Sequence, residues 1–209
     1  PSPIVYDGIF NTLEYLHTEM IDETNFFFSA QDADSEGVEG LYFTFSQVEF
    51  EDALNRFDND DELLAKNKDK ILRWFGITEV GNFDSGLNVI RLDPEYAKEY
   101  FTSEGWEIVR LVRKALLNER KMRIPGMTDN KGIASWNFQM ITALSDIMQY
   151  CQVAPIRAAA SQLFNRLVDG IYQTFIKGED GGKRLTHTTT KEVSLPYLED
   201  YVYFAEAQL

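Results

Sequence analysis

The second half of the sequence is a succession of helical segments whose polar and apolar characters alternate. Residues 103–123 and 154–177 combine an apolar stripe with several charges, as helices with one solvated face do. Between them, residues 134–151 carry the single charge Asp146, so we expect that helix to be buried on most sides. Residues 196–209 are again aromatic and apolar. The alternation predicts a mainly α fold in which outer and inner helices form two concentric antiparallel layers.

An acidic stretch, Asp32–Gly40, is the most unusual feature of the first half. It holds four carboxylates in nine residues: Asp32, Asp34, Glu36 and Glu39. Short aromatic runs flank it, Phe26–Phe28 before and Leu41–Phe45 after. Aromatic residues favour extended pairing, so the two runs are predicted to be strands of a β-hairpin with a long acidic loop.

Local patterns predict the remaining elements. Apolar residues at helical spacing indicate a helix over residues 7–21. Ser46 and Glu49 have the spacing of a capping box and are predicted to start a helix that ends near Phe57. Further predictions are a helix over 60–75 that Gly76 stops, a strand over 87–92, a short helix that opens at Asp93-Pro94, and one edge strand over 185–189.

The amino-acid composition disfavours several classes of binding partner for this chain. The 209-residue chain has a net charge of −14, which disfavours nucleic acid and anionic membrane surfaces. Cys151 is the only cysteine, so no internal disulfide can form, and no apolar run approaches the length of a membrane span. We expect a cytoplasmic protein without a bound cofactor. Both ends interrupt helical patterns, which suggests a piece of a longer chain.

Asp200 is a candidate acid or base. Asp200 and Tyr203 are three residues apart and therefore share a face of the last helix. If Leu198, Tyr201, Val202 and Ala205 form the core stripe, the carboxylate points into the helical assembly, where burial perturbs pKa values. The alternative is that Glu199 and Asp200 are acids of the first turn, where they favour the helix dipole.

A polar segment leads into the apolar helix at 134–151. Ser135 is predicted to cap that helix, and Trp136 and Asn137 suit stacking on, and hydrogen bonding to, a sugar-like ligand. Alternatively, Trp136 belongs to the core and Asn137 satisfies backbone groups. His187 lies among threonines and is either a catalytic base or a surface residue. His17, on the first helix, is interpreted as a surface or packed residue.

A calcium site in the acidic stretch is disfavoured. Asp32, Asp34, Glu36 and Gly37 match the first half of a calcium loop, but the twelfth position is Phe43 and strands flank the loop. The chain also lacks a cluster of His and Cys ligands, so no metal is expected.

Four segments carry a resemblance to a known family. Phe28–Tyr42 resembles the motif of the spermatogenesis-associated protein 20 family, also called the YyaL family. Gly81-Asn82-Phe83 with Asn88-Val89-Ile90, then Asp129–Asn137, then Leu198-Glu199-Asp200-Tyr201, are similar to further family segments in the family's order. Two positions depart from the pattern: Asn130 replaces a usual acid, and Val202 replaces the usual alanine.

The resemblance implies an architecture and a class of ligand. Family members carry a thioredoxin-like domain followed by an α/α toroid of the six-hairpin glycosidase type, akin to N-acylglucosamine 2-epimerases. Residues 1–209 would form a single partial toroid domain with a short β-hairpin insertion. The thioredoxin-like domain would be absent, so no redox role carries over. The Asn130 departure weakens any catalytic role for the first acid pair of its segment.

Two functions remain open from the sequence. In the first, the toroid binds or processes a sugar-like small molecule in its central cavity, by glycoside hydrolysis or epimerisation. Its acid–base residues would be Asp32, Asp34, Glu36 and Asp200, and its ligand-binding residues Glu39, Asp129, Trp136, Asn137, His187, Glu199, Tyr201 and Tyr203. In the second, the domain is a non-catalytic interaction module whose acidic motif is structural, with carboxylates that accept backbone amides of the loop.

Overall fold

The computed structural model describes residues 3–57, 63–179, 182–190 and 194–209. The fold is mainly helical, with small antiparallel sheets of two strands each. The chain divides into two compact units. The first unit combines Pro1–Gln31 with Thr128–Leu209, and the second unit is Asp32–Met127.

The helices and strands are named here in chain order. The helices are α1 (Pro3–Glu19), α2 (Gln47–Arg56), α3 (Leu63–Lys66), α4 (Lys68–Trp74), α5 (Ala97–Tyr100), α6 (Ser103–Arg120), α7 (Ala134–Tyr150), α8 (Ala154–Phe175) and α9 (Leu198–Glu206). The strands are β1 (Ala30–Gln31), β2 (Asp34–Ser35), β3 (Val38–Glu39), β4 (Thr128–Asp129), β5 (Ile176–Glu179) and β6 (Gly182–Leu185). Short 3-10 turns occupy Asp84–Gly86 and Pro94–Tyr96. The strands pair antiparallel as β1 with β4, β2 with β3, and β5 with β6.

The core of the first unit forms where α7 packs against α8 and α9, with α1 against α8. Phe138 of α7 is fully buried and contacts the rings of Phe175, Tyr172 and Phe204. Edge-to-face and tilted contacts of this kind stabilise a core beyond the area they bury. Phe138 thus joins the N-terminal part of α7 to the C-terminal parts of α8 and α9.

The second unit has its own core, in which α2 packs against α6 and the short helices α3 to α5 complete the layer. Phe50, Ile71, Trp74 and Val112 are almost completely buried there. The Asn88 side chain is also fully buried: its Oδ1 accepts from the Thr78 amide, and its Nδ2 donates to the Phe45 and Thr78 carbonyls. Asn88 thus satisfies backbone groups inside a unit with little sheet structure.

Most predicted helices are confirmed. The segments predicted as 103–123, 134–151 and 154–177 correspond to α6, α7 and α8, and the capping box at Ser46 and Glu49 is present at the start of α2. The helix predicted over 60–75 is split into α3 and α4 at Asn67, and residues 60–62 of that prediction lie outside the described part of the chain.

The predicted strands are mostly wrong. Phe26–Phe28 forms only an isolated bridge, between Phe27 and Ile21, and Leu41–Phe45 forms a turn followed by a bridge to Asn88. The hairpin lies inside the acidic stretch instead, as β2 and β3. Phe26, Phe27 and Phe45 are buried, so these aromatic residues serve cores and not a ladder. Residues 87–92 likewise contribute only the Asn88 bridge, and the edge strand predicted over 185–189 ends at Leu185.

The predicted core stripe of the last helix is also wrong. Leu198, Tyr201 and Val202 are 80%, 48% and 52% exposed, and the only fully buried side chain of α9 is Asp200. Tyr203 and Phe204 pack against the core of the first unit instead. In the part of the chain that the structure describes, no helix combines the length and apolar character that crossing a membrane requires.

Candidate functional site

A histidine–aspartate pair is the most distinctive polar feature of the first unit. The Nδ1 atom of His187 lies 2.9 Å from Oδ2 of Asp200. The Asp200 carboxylate is 0% exposed, and the His187 side chain is 18% exposed. A buried carboxylate requires hydrogen-bond donors on its oxygens, and His187 supplies one of them.

Backbone amides at the starts of two helices supply the others. The amide of Ser135, in the first turn of α7, donates to Asp200 Oδ1 at 3.0 Å. The amide of Tyr197, which precedes α9, donates to Asp200 Oδ2 at 2.8 Å. The first amides of a helix have no partner within the helix, and the helix dipole favours negative charge at that end. Asp200 therefore satisfies the N-termini of α7 and α9 with one side chain.

Several contacts fix the His187 ring and backbone. The ring packs edge-to-face against Tyr197, with centroids 4.5 Å apart. The carbonyl of His187 accepts from the Ala134 amide at 2.8 Å, and Thr188 forms a bridge with Ile133. The direction of this hydrogen bond depends on the tautomer of the ring: in the tautomer that donates from Nδ1 to the carboxylate, Nε2 is the nitrogen left as a base. Within the described residues, no protein group hydrogen-bonds Nε2.

A cavity of about 530 Å³ opens along α9; neither His187 nor Asp200 lines it, but the ring of Tyr197, which does, packs against His187. The cavity is lined by Tyr197, Leu198, Glu199, Val202 and Tyr203. Two aromatic rings, two aliphatic side chains and one carboxylate make it mainly apolar with a few polar groups, which is typical of small-molecule sites. Glu199 is exposed and follows the cap of α9, so its carboxylate is available to a ligand.

In the described ranges, one set of three potential metal ligands lies together, and it includes the pair of His187 and Asp200. Ligand atoms of His187, Glu199 and Asp200 lie within 4.8 Å of one another. A metal on Nδ1 of His187 would replace the hydrogen bond to Asp200, whose oxygens already accept two amides. The arrangement therefore fits an acid–base pair better than a metal centre.

The predicted acids of the acidic stretch do not join this set. Asp32, Asp34, Glu36 and Glu39 are exposed and lie in the second unit, whereas Asp200 lies in the first. Asp32 Oδ1 accepts from the Asp34 amide at 3.1 Å, which is a local turn contact. Glu36 and Gly37 form the tip of the β2–β3 hairpin with φ angles of 54° and 79°. Positive φ at both positions is what a two-residue hairpin turn of the right twist requires.

Contacts within the second unit hold this acidic hairpin. Ser35 is 4% exposed, and its hydroxyl donates to the Ile124 carbonyl. The Arg123 guanidinium donates to the carbonyls of Leu41 and Thr44, at 2.9 and 2.6 Å. A Cβ on Gly126 would lie 2.1 Å from the Asp32 carbonyl oxygen, so the chain passes there in close contact. The acidic hairpin is thus fixed by its backbone and by Ser35, and its carboxylates point to solvent.

The remaining predicted site residues serve different roles. Asn137 is 1% exposed: its Oδ1 accepts from the Phe27 amide at 2.7 Å, and its Nδ2 donates to the carbonyls of Phe27 and Ile133. Trp136 is 50% exposed, and Tyr201 does not line the cavity. Asp129 is exposed, and its hydrogen bond from the Lys131 ammonium lowers the pKa of its carboxyl.

The sequence did not predict the roles of Tyr197 and Ser135 in the hydrogen-bond network of Asp200. Tyr197 supplies both an amide to Asp200 and a ring to His187, and only its place before the last helix could have indicated this. Ser135 was predicted to cap α7 with its side chain, but Ile133 is the N-cap residue and Ser135 contributes its amide. The capping group is Asp200, 65 residues later, so no local pattern could have identified it.

Comparison with known proteins gives no match. No family model matches the chain, and no curated protein sequence matches it significantly.

Proposed function

We propose that this chain binds a carbohydrate-like small molecule in the cavity beside α9, with His187, oriented by Asp200, as its acid–base group. The proposal includes the α/α toroid architecture and the family membership that the sequence motifs suggest. The observation that carries it is the hydrogen bond between His187 and the buried Asp200, together with the packing of the His187 ring on Tyr197, which lines the cavity.

The Asp200 carboxylate would serve His187 in two ways. It fixes the ring orientation, and it keeps the proton on Nδ1 so that Nε2 is the free base. When Nε2 accepts a proton from a ligand, the nearby carboxylate stabilises the resulting imidazolium. Tyr197 and Tyr203 offer ring faces to a sugar, and Glu199 offers an acceptor for hydroxyl groups.

Epimerase-like chemistry is favoured over glycoside hydrolysis. Glycosidases with the usual mechanism need two available carboxyl groups that flank the scissile bond. Asp200 is fully buried and already accepts two amides, which leaves Glu199 as the available carboxyl group at this cavity. Removal of a proton beside a carbonyl requires a positioned base, and His187 is the candidate for that role. Inversion further requires that the proton return to the opposite face of the planar intermediate, either from a second acid or after the intermediate turns in the site.

Deuterium exchange tests the proposal. The chain would be incubated in D₂O with epimer pairs such as N-acetylglucosamine and N-acetylmannosamine, or glucose and mannose, and proton spectra would be recorded. We expect exchange at the carbon beside the carbonyl, its loss in His187→Gln, and its retention in His17→Gln, which changes the chain's other histidine. Lack of both binding and exchange across a broad panel of sugars would overturn the proposal.

A non-catalytic interaction domain is the second candidate. The specific observation in its favour is that the hydrogen bonds of Asp200 all have a structural use, because they tie the starts of α7 and α9 and the loop of His187 together. On this account His187→Gln would lower the free energy of unfolding and leave no catalytic effect to measure.

A further inference from the structure

The cavity along α9 carries charge of one sign. Among the described residues that line it, Glu199 has the one charged side chain, and the others are two tyrosines and two aliphatic residues, Tyr197, Tyr203, Leu198 and Val202. Glu199 is exposed, and within the described residues its carboxylate has neither a hydrogen-bond donor nor a cationic partner. The cavity therefore presents an unpaired negative charge to a ligand.

A second carboxylate lies close to the first. Ligand atoms of Glu199, Asp200 and His187 lie within 4.8 Å of one another. The described partners of Asp200 are two backbone amides and the His187 ring, so no full positive charge balances the two carboxylates while the imidazole is neutral. Carboxylates at this separation repel one another. A cation that binds at Glu199 relieves this repulsion, whereas an anion adds to it.

The aromatic walls of the cavity suit the same kind of ligand. Glu199 and Tyr203 are four residues apart on α9, so their side chains are neighbours on one face of the helix. The face of a tyrosine ring attracts a cation that lies within about 6 Å of its centroid. Tyr197, which is 61% exposed, supplies a second ring. Leu198 and Val202 add apolar surface, which suits the carbon skeleton of an organic cation better than a bare metal ion.

We propose that this cavity selects ligands that carry a positively charged amino group. The rest of the ligand rests on the function proposed above: for a sugar-like ligand, the class is an amino sugar whose amine is free, such as glucosamine. The ammonium group donates charge-assisted hydrogen bonds to Glu199 and lies against the tyrosine rings. The net charge of −14 favours the approach of such a cation and disfavours acidic sugars.

Titration calorimetry with two matched pairs of probes tests this charge preference. Choline and 3,3-dimethyl-1-butanol have nearly the same shape, but only choline is charged. Glucosamine and glucose differ at one position, where an amine replaces a hydroxyl. Each probe would be titrated at pH 7 and constant ionic strength into the chain and into the variants Glu199→Gln and Glu206→Gln. Glu206 is an exposed residue of α9 that does not line the cavity, so it matches the change in charge.

The expected result is a preference for the charged probe of each pair. We expect the chain to bind choline and glucosamine at least about tenfold more tightly than their neutral partners. Glu199→Gln should remove this preference, and Glu206→Gln should keep it. Equal binding of the charged and neutral probes, an equal loss of preference in the two variants, or no binding of either amine at millimolar concentration would overturn the inference.

Failure of this inference is distinguishable from failure of the proposed function. If glucose binds as tightly as glucosamine, and exchange depends on His187, the amine preference is overturned and the proposed function stands. If choline is preferred and Glu199→Gln removes that preference, while no sugar binds or exchanges, the selection for a cation is supported and the proposed function is overturned.

Discussion

The carboxylate of Asp200 and the backbone amide of Ser135 are joined by a hydrogen bond of 3.0 Å, although they lie 65 residues apart. The same carboxylate accepts from the Tyr197 amide and contacts Nδ1 of His187. One buried side chain thus fixes the beginnings of two helices and the orientation of one histidine. Stability and any chemistry at this site depend on the same group.

Asp200→Asn is expected to destabilise the first unit strongly. An asparagine places an NH₂ group where one carboxylate oxygen accepted hydrogen bonds, so at least one buried amide or the His187 nitrogen loses its acceptor. We expect a loss of about 3 kcal/mol in the free energy of unfolding, measured by urea denaturation. Glu199→Gln makes the same change in charge at an exposed neighbour and should cost little. Similar losses in both variants would contradict the role given to Asp200.

Asn137→Ala tests the second buried polar contact of this unit. The substitution leaves the amide and carbonyl of Phe27 without their side-chain partner inside the protein. The expected cost is about 2 to 3 kcal/mol, again measured by urea denaturation. Gln139→Ala on the exposed side of the same helix is the control, and it should remain close to the wild type. A cost equal to that of the control would show that Asn137 does not hold the Phe27 backbone.

Gly126→Ala tests how the acidic hairpin is held. A Cβ at Gly126 would lie 2.1 Å from the Asp32 carbonyl oxygen, so the backbone has to move. We expect a loss of about 1 to 3 kcal/mol on thermal or urea unfolding. Gly8→Ala is the control, because it meets no atom within 4 Å on a helix, where alanine is preferred. If Gly126→Ala is tolerated as well as Gly8→Ala, the close contact does not fix the hairpin.

Glu51 should make the second unit sensitive to acid. The hydrogen bond from Lys68, and then that from Gln47, lower the pKa of the Glu51 carboxyl below its ordinary 4.5. A lowered folded-state pKa contributes stability that is present above the unfolded pKa and is lost as the pH falls through the folded pKa. The stability difference between wild type and Glu51→Gln should therefore stay constant from about pH 7 to about pH 5 and shrink between about pH 5 and pH 3. Melting temperatures across this interval, with Asp52→Asn as the exposed control, provide the check.

Tyr172 should contribute to alkaline unfolding. Burial raises the pKa of the Tyr172 hydroxyl, although a hydrogen bond from Gln208 opposes the shift. A raised folded-state pKa means that stability is intact below the unfolded pKa of about 10 and is lost as the pH rises through the folded pKa. Tyr172→Phe should remove part of this loss, measured as a smaller fall in melting temperature above that pH. An unchanged fall would show that Tyr172 does not limit alkaline stability.

The sequence predicted the long helices because their evidence is local. The apolar positions of α6, α7 and α8 recur at helical spacing, and the Ser46–Glu49 capping box is visible within four residues. The shared face of Asp200 and Tyr203 follows from the same spacing, and both residues do turn toward the first unit's core. The strand predictions were wrong because aromatic runs such as Phe26–Phe28 suit the core of a helical unit as well as a β-sheet.

The candidate site was only partly predictable because its contacts join distant segments. His187 and Asp200 were each predicted as site residues. A polar segment separates them in the sequence, and no pattern in that segment indicates that Nδ1 of His187 contacts the carboxylate of Asp200. The contact between Asn137 and Phe27 spans 110 residues. The exposure of Leu198 and Val202 was not predicted either, since hydrophobicity alone places both side chains in the core.

A nitrogen-detected spectrum of the chain labelled with ¹⁵N-histidine tests the central claim most directly. Only His17 and His187 contribute, and His17→Gln assigns them. At neutral pH we predict that His187 is protonated on Nδ1, and that a bound sugar from the panel shifts its Nε2 resonance while His17 does not respond. A His187 protonated on Nε2, or an Nε2 resonance that no sugar in the panel shifts, would contradict the account.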